Sequence, residues 1–77
     1  MKLSIRQLQI LADYSDIPDH SPDSEGWAYL SELGYSAHGV KKMIDAGYME
    51  SDGEFTGVDC DCRITERGLA KFRSVSA

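Results

Sequence analysis

The sequence predicts a mostly helical α+β fold: a three-helix core, a two-stranded β-hairpin and a C-terminal helix, in a single domain spanning residues 1–77. Three observations predict it. Apolar residues recur at helical spacing up to Gly47. The period then changes to two, where Val58, Cys60, Cys62 and Ile64 alternate with Asp59, Asp61 and Arg63. After Thr65 the helical period returns.

Residues 4–14 form the first expected helix. Ser4 and Gln7 make an S-x-x-Q capping box, in which each side chain accepts from a backbone N–H that the helix leaves unpaired. Ile5, Leu8, Leu11 and Ala12 form its apolar stripe, widened by Ile10 and Tyr14. A polar connection over 15–21 follows, with Asp16, Pro18, Asp19 and a solvent-facing His20. Ser21 reads as an N-cap and Pro22 as the first residue of a second helix, 22–33. Trp27, Ala28, Leu30 and Leu33 face inward there, with Trp27 as a core anchor.

Leu33-Gly34-Tyr35 turns the chain into a third helix, 36–47. Ser36 is its expected cap, and Gly47 suits the left-handed residue that closes a helix. Val40, Met43 and Ile44 share its buried face, while His38, Lys41, Lys42 and Asp45 face solvent. A helix, a Gly-containing turn and a second helix make a helix-turn-helix pattern.

Residues 48–55 supply the antiparallel partner of 58–64. A two-residue turn at Thr56-Gly57 pairs Phe55 with Val58, Ser51 with Cys62 and Met49 with Ile64, all on one face. Asp52-Gly53 is the competing turn. Thr65 caps a final helix, 66–75, whose apolar contacts are Leu69, Ala70 and Phe72.

Three of these segments resemble the winged helix-turn-helix superfamily, as in small bacterial repressors of the MarR and PadR kind. Leu3-Ser4-Ile5-Arg6-Gln7-Leu8-Gln9-Ile10-Leu11 looks like the opening helix. Val40-Lys41-Lys42-Met43-Ile44-Asp45-Ala46-Gly47-Tyr48-Met49 looks like a recognition helix passing into the wing. Ile64-Thr65-Glu66-Arg67-Gly68-Leu69 is similar to the L-T-E-x-G phrase after the wing. The resemblance implies a DNA-binding module and small transcriptional regulator. Its third helix would enter the major groove, often as a homodimer. The implied contacts are Ser36, Ala37, His38, Lys41 and Lys42, with Arg63 and Arg67 adding backbone contacts.

Charge points in a second direction. Thirteen acidic and eight basic residues give a net −5, the reverse of the usual nucleic-acid footprint. The hairpin carries Glu50, Asp52, Glu54, Asp59 and Asp61, the wrong sign for phosphate. The alternative expectation is an acidic winged helix that docks on a basic protein surface. A phage or mobile-element inhibitor or adaptor, including a DNA mimic that counters a defence system such as CRISPR, has this character.

Chemistry is not expected. Cys60 and Cys62 are spaced C-x-C rather than C-x-x-C and read as reduced strand residues, so no metal or cofactor is expected. No nucleophile–base–orienter set and no phosphate-cradling Gly-rich loop appears, so no catalytic residue is assigned. No apolar run approaches the ~18–20 residues of a membrane span. The charged N-terminus does not read as a signal peptide, and the expected location is cytoplasmic.

Overall fold

The computed structural model describes residues 2–20 and 22–76, with the backbone alone at 19, 20, 22 and 76. Helix α1 spans Ile5–His20, and a 3-10 turn spans Pro22–Ser24. Strand β1 is Ala28–Tyr29, helix α2 is Leu30–Leu33 and helix α3 is Val40–Asp45. Strands β2 (Met49–Ser51) and β3 (Asp61–Ile64) follow, then helix α4, Glu66–Ser76. The described chain is thus a small α+β fold, about half helical, with a three-stranded antiparallel sheet ordered β1-β3-β2.

The capping box forms as expected. Ser4 N–H donates to Gln7 Oε1 at 2.9 Å, and Gln7 N–H donates to Ser4 Oγ at 3.1 Å. Helix α1 nevertheless runs past Tyr14, with Pro18 inside it. A helical Pro costs about 3 kcal/mol, but Pro18 lies in the last turns and the extension packs Ile17 against the core. The buried stripe is also rotated from the expected one. Leu3, Gln7, Ile10, Leu11 and Tyr14 are inside, whereas Ile5 is 77% exposed. The amide of Gln7 has polar partners in the interior, so a polar residue occupies a core position. Tyr14 satisfies its hydroxyl in the same way, donating to Ala28 O at 2.8 Å.

The expected second helix, 22–33, does not form as one element. Glu25 and Gly26 are both left-handed, with φ of 56° and 88°, and two such residues end a right-handed helix. Ala28 and Tyr29 instead pair with Cys62 and Asp61 of β3. Trp27 is only half-buried and lies under the Arg63 guanidinium, 4.6 Å from the ring centroid, so it is not a core anchor. Ser21 and the side chain of His20 fall outside the described residues.

The third helix is shorter than 36–47. Gly39 precedes it with φ of 80°, which a continuous helix does not admit, and residues 36–39 form a turn. Ser36 therefore caps no helix; its Oγ accepts from Arg6 at 2.7 Å and from His38 N–H at 3.4 Å. The other end matches expectation. Gly47 N–H donates to Ile44 O and Tyr48 N–H to Met43 O, the paired closure of a Schellman turn.

The hairpin has the expected register at its base: Met49↔Ile64, Glu50↔Arg63 and Ser51↔Cys62. One more cross-strand bond follows, from Asp52 N–H to Asp61 O at 2.9 Å, and neither two-residue turn forms. Residues 52–60 make an irregular loop in which Cys60 Sγ accepts Thr56 N–H at 3.1 Å and contacts Thr56 Oγ1 at 2.9 Å. The loop also docks on α2, where Ser31 N–H donates to Val58 O. Phe55 and Val58 are half-buried outside the ladder, and Cys60 lies in the loop rather than on the strand.

Thr65 fixes α4. Its N–H donates to Tyr48 O, its hydroxyl donates to Gly47 O, and the same oxygen accepts Gly68 N–H. Leu69 and Phe72 are half-buried, but Ala70 faces solvent. Gly68 lies directly on the chain below, where a Cβ would meet Tyr48 O at 1.9 Å. Gly68→Ala must therefore displace α4, and we expect it to lower unfolding stability by more than about 2 kcal/mol in urea titration. Gly53→Ala meets no neighbouring atom and is expected to cost only about 1–2 kcal/mol of left-handed strain. Equal losses in the two variants contradict the close-packing account.

Candidate nucleic-acid interface

The capping box that starts α1 also builds the site. Gln7 turns inward to answer Ser4, and its Nε2 then donates to Gly39 O at 3.1 Å. This joins the first turn of α1 to the start of α3. Arg6, the residue before it on α1, reaches the 34–36 turn: it donates to Ser36 Oγ and lies 5.9 Å from the Tyr35 ring centroid. Tyr35 is held from its other end, donating its hydroxyl to Asp13 at 2.5 Å. That bond is the main reason the phenol's pKa is raised.

Between the two helices runs a groove of about 470 Å³ lined by Ser4, Arg6, Gln7, His38, Gly39, Lys41 and Lys42. Two lysines, an arginine and a histidine share it, and no carboxylate lines it. Lys41 pairs with Asp45 at 2.5 Å, one helical turn away, but both side chains are more than 60% exposed. Such a pair contributes at most about 1 kcal/mol and is readily exchanged for another anion. Lys42 has no ion pair among the described residues.

The sequence-derived contacts thus divide. His38, Lys41 and Lys42 converge on the groove. Ser36 sits beside it under Arg6, and Ala37 is half-buried with its carbonyl accepting Val40 N–H. Arg63 and Arg67 do not line it. Arg63 is ion-paired with Glu50 and stacked on Trp27. Arg67 lies 5.8 Å from the Tyr48 ring centroid, beside Gly47 at the far end of α3. Sequence reading missed Arg6 and Gln7. The capping box was a signal that Gln7 turns inward, but nothing local linked Arg6 to a residue thirty positions away.

The acidic candidates are spread over β2, β3 and the loop between them. Glu50 is engaged by Arg63, Asp59 accepts from Ser31 Oγ at 3.1 Å, and Asp52 and Glu54 are exposed in the 52–60 loop. Asp61 has its carboxyl pKa raised by partial burial, then by Asp52 and Glu32 nearby. Among the described residues, no group of three or more His, Cys, Asp or Glu is placed to hold a metal ion. No helix there is long and apolar enough to cross a membrane.

Both cysteines are free thiols. The hydrogen bonds from Thr56 lower the Cys60 thiol pKa, whereas burial pushes that of Cys62 up to about 11 from 9.0. No family model, curated protein or solved structure matches the chain.

The Cys62 thiol makes a pH prediction. Its folded pKa lies above its ordinary one, so the fold favours the protonated form. The stabilisation is complete below pH 9 and is lost as pH rises through about 11. Unfolding free energy should fall across that window, and Cys62→Val should make the fall shallower. An unchanged slope in the variant contradicts the assignment.

Proposed function

We propose that this chain is a duplex-DNA-binding winged-helix module, a small transcriptional regulator that meets DNA through α3 and the turn before it. The observation that carries the reading is the groove between α1 and α3. In a chain of net charge −5, Arg6, His38, Lys41 and Lys42 gather there without a lining carboxylate. The order α2, turn, α3, hairpin supports the same reading.

The division of labour follows from reach and charge. Lys41, Lys42 and Arg6 face backbone phosphates, and His38 and Ser36 face base edges in the major groove. The 52–60 loop carries Asp52, Glu54 and Asp59, which repel phosphate. It therefore stays off the duplex, and contact is confined to the α1–α3 side. Arg63, neutralised by Glu50, adds nothing to the phosphate contacts.

Three cations set the expected salt dependence. The logarithm of affinity for random duplex DNA should fall against the logarithm of salt with a slope of about −2 to −3. Lys41→Glu/Lys42→Glu should weaken binding by at least about tenfold and flatten that slope. Fluorescence anisotropy with a labelled duplex checks both. No affinity at low salt, or an unchanged slope in the double variant, overturns the reading.

A further inference from the structure

A second groove lies away from the first. It has a volume of about 620 Å³ and is walled by Asp13, Asp16 and Ile17 of α1, Trp27 and Ala28 at the entry to β1, and Glu32 and Leu33 of α2, with Ser24 beside them. Its lining is of two kinds. Ile17, Trp27, Ala28 and Leu33 are half-buried apolar surface, and all but Trp27 pack on the core. Asp13, Asp16 and Glu32 are exposed carboxylates around them.

No Lys or Arg lines this groove, and neither ion pair among the described residues involves its carboxylates. Among the described residues Asp13 accepts the Tyr35 hydroxyl, and Glu32 accepts the Tyr29 N–H at 3.2 Å. Among the described residues, then, no cation pairs with these carboxylates beside the apolar walls. A side chain with an aliphatic stem and a cationic head is complementary to both parts: the stem covers the apolar wall and the head meets the carboxylates.

We propose that this groove docks an arginine-bearing segment of a protein partner. Arginine fits better than lysine. Its planar guanidinium is weakly hydrated, pairs with carboxylates in a fork and stacks on aromatic rings. Trp27 already accepts one guanidinium, that of Arg63, and contributes a wall here. The loop carboxylates Asp52, Glu54 and Asp59 carry comparable charge but line neither of the two grooves described, so the docking determinant is the groove. The inference is independent of DNA binding, which uses the α1–α3 side.

Trp27 is the sole tryptophan and reports directly on the groove. The full chain is titrated with a short capped peptide of alternating Arg and Ala, and with its Lys counterpart, while Trp27 emission is followed. The proposal expects a saturable response and tighter binding of the Arg peptide. Asp16→Asn/Glu32→Gln should weaken it about tenfold, and so should Asp16→Lys, a single change at an exposed position. Asp52→Asn/Glu54→Gln removes the same charge from the loop and should change affinity less than about twofold. Asp13 is kept because it anchors Tyr35. Equal losses in groove and loop variants, equal binding of the two peptides, or no Trp27 response each overturn the proposal. Sedimentation without peptide adds a further check: self-association abolished by Asp16→Lys assigns the groove to a second copy's basic face and overturns the partner.

Discussion

The site depends on one buried amide. Gln7 is only 7% exposed, and both ends of its side chain are committed: Oε1 accepts Ser4 N–H, and Nε2 donates to Gly39 O. Leaving either end unpaired in the interior costs about 1–3 kcal/mol, so the two contacts are strongly coupled. The first fixes where α1 begins, and the second fixes where α3 begins. Gly39 completes the arrangement. A Cβ there would stand 3.1 Å from Gln7 Nε2, on a backbone already at φ of 80°. Everything that makes the basic groove follows from this junction, because Arg6 flanks it on one side and His38, Lys41 and Lys42 on the other.

The same helix separates the charges. Near its start α1 presents Arg6 to the basic groove, and farther along it presents Asp13 and Asp16 to the acidic one. Glu32, Asp52 and Asp61 extend the negative side through α2 to the base of the hairpin, where partial burial first, and then Asp52 and Glu32, raise the Asp61 carboxyl pKa. A net charge of −5 therefore does not describe either face. Close to the surface, within about a Debye length of 8–10 Å, an approaching polyanion meets local charge rather than the total. The structure consumes Arg63 and Glu50 against each other, which removes one cation and one anion from this division.

How much was legible in the sequence follows from how local each interaction is. The Ser4–Gln7 box, the Thr65 cap, the Gly47 closure and the Met49↔Ile64 register rest on neighbours or on a period, and all four appear in the structure. The second helix was not legible. The helical pattern of Trp27, Leu30 and Leu33 continued through Glu25–Gly26, yet those two residues are left-handed and release Ala28 and Tyr29 to pair with β3. The third helix lost its first turn to Gly39, and with it Ser36 lost its capping role. The site divides in the same way. His38, Lys41 and Lys42 lie on one short stretch, where spacing put them on the exposed face and the winged-helix resemblance implied them as contacts. Arg6, the engagement of Arg63 by Glu50, and the meeting of Asp16 with Glu32 in one groove all depend on contacts between distant segments, which no periodicity encodes.

On the proposed reading, nucleic acid meets this fold at the Gln7–Gly39 junction and away from the acidic elements. Amide chemical-shift mapping of the labelled protein with a short duplex at low salt tests it most directly. The account predicts shifts concentrated at residues 4–7 and 36–42, with little change at 13–17, 32–33 and 52–61. Shifts centred on the hairpin or the acidic groove, with 36–42 unmoved, contradict it.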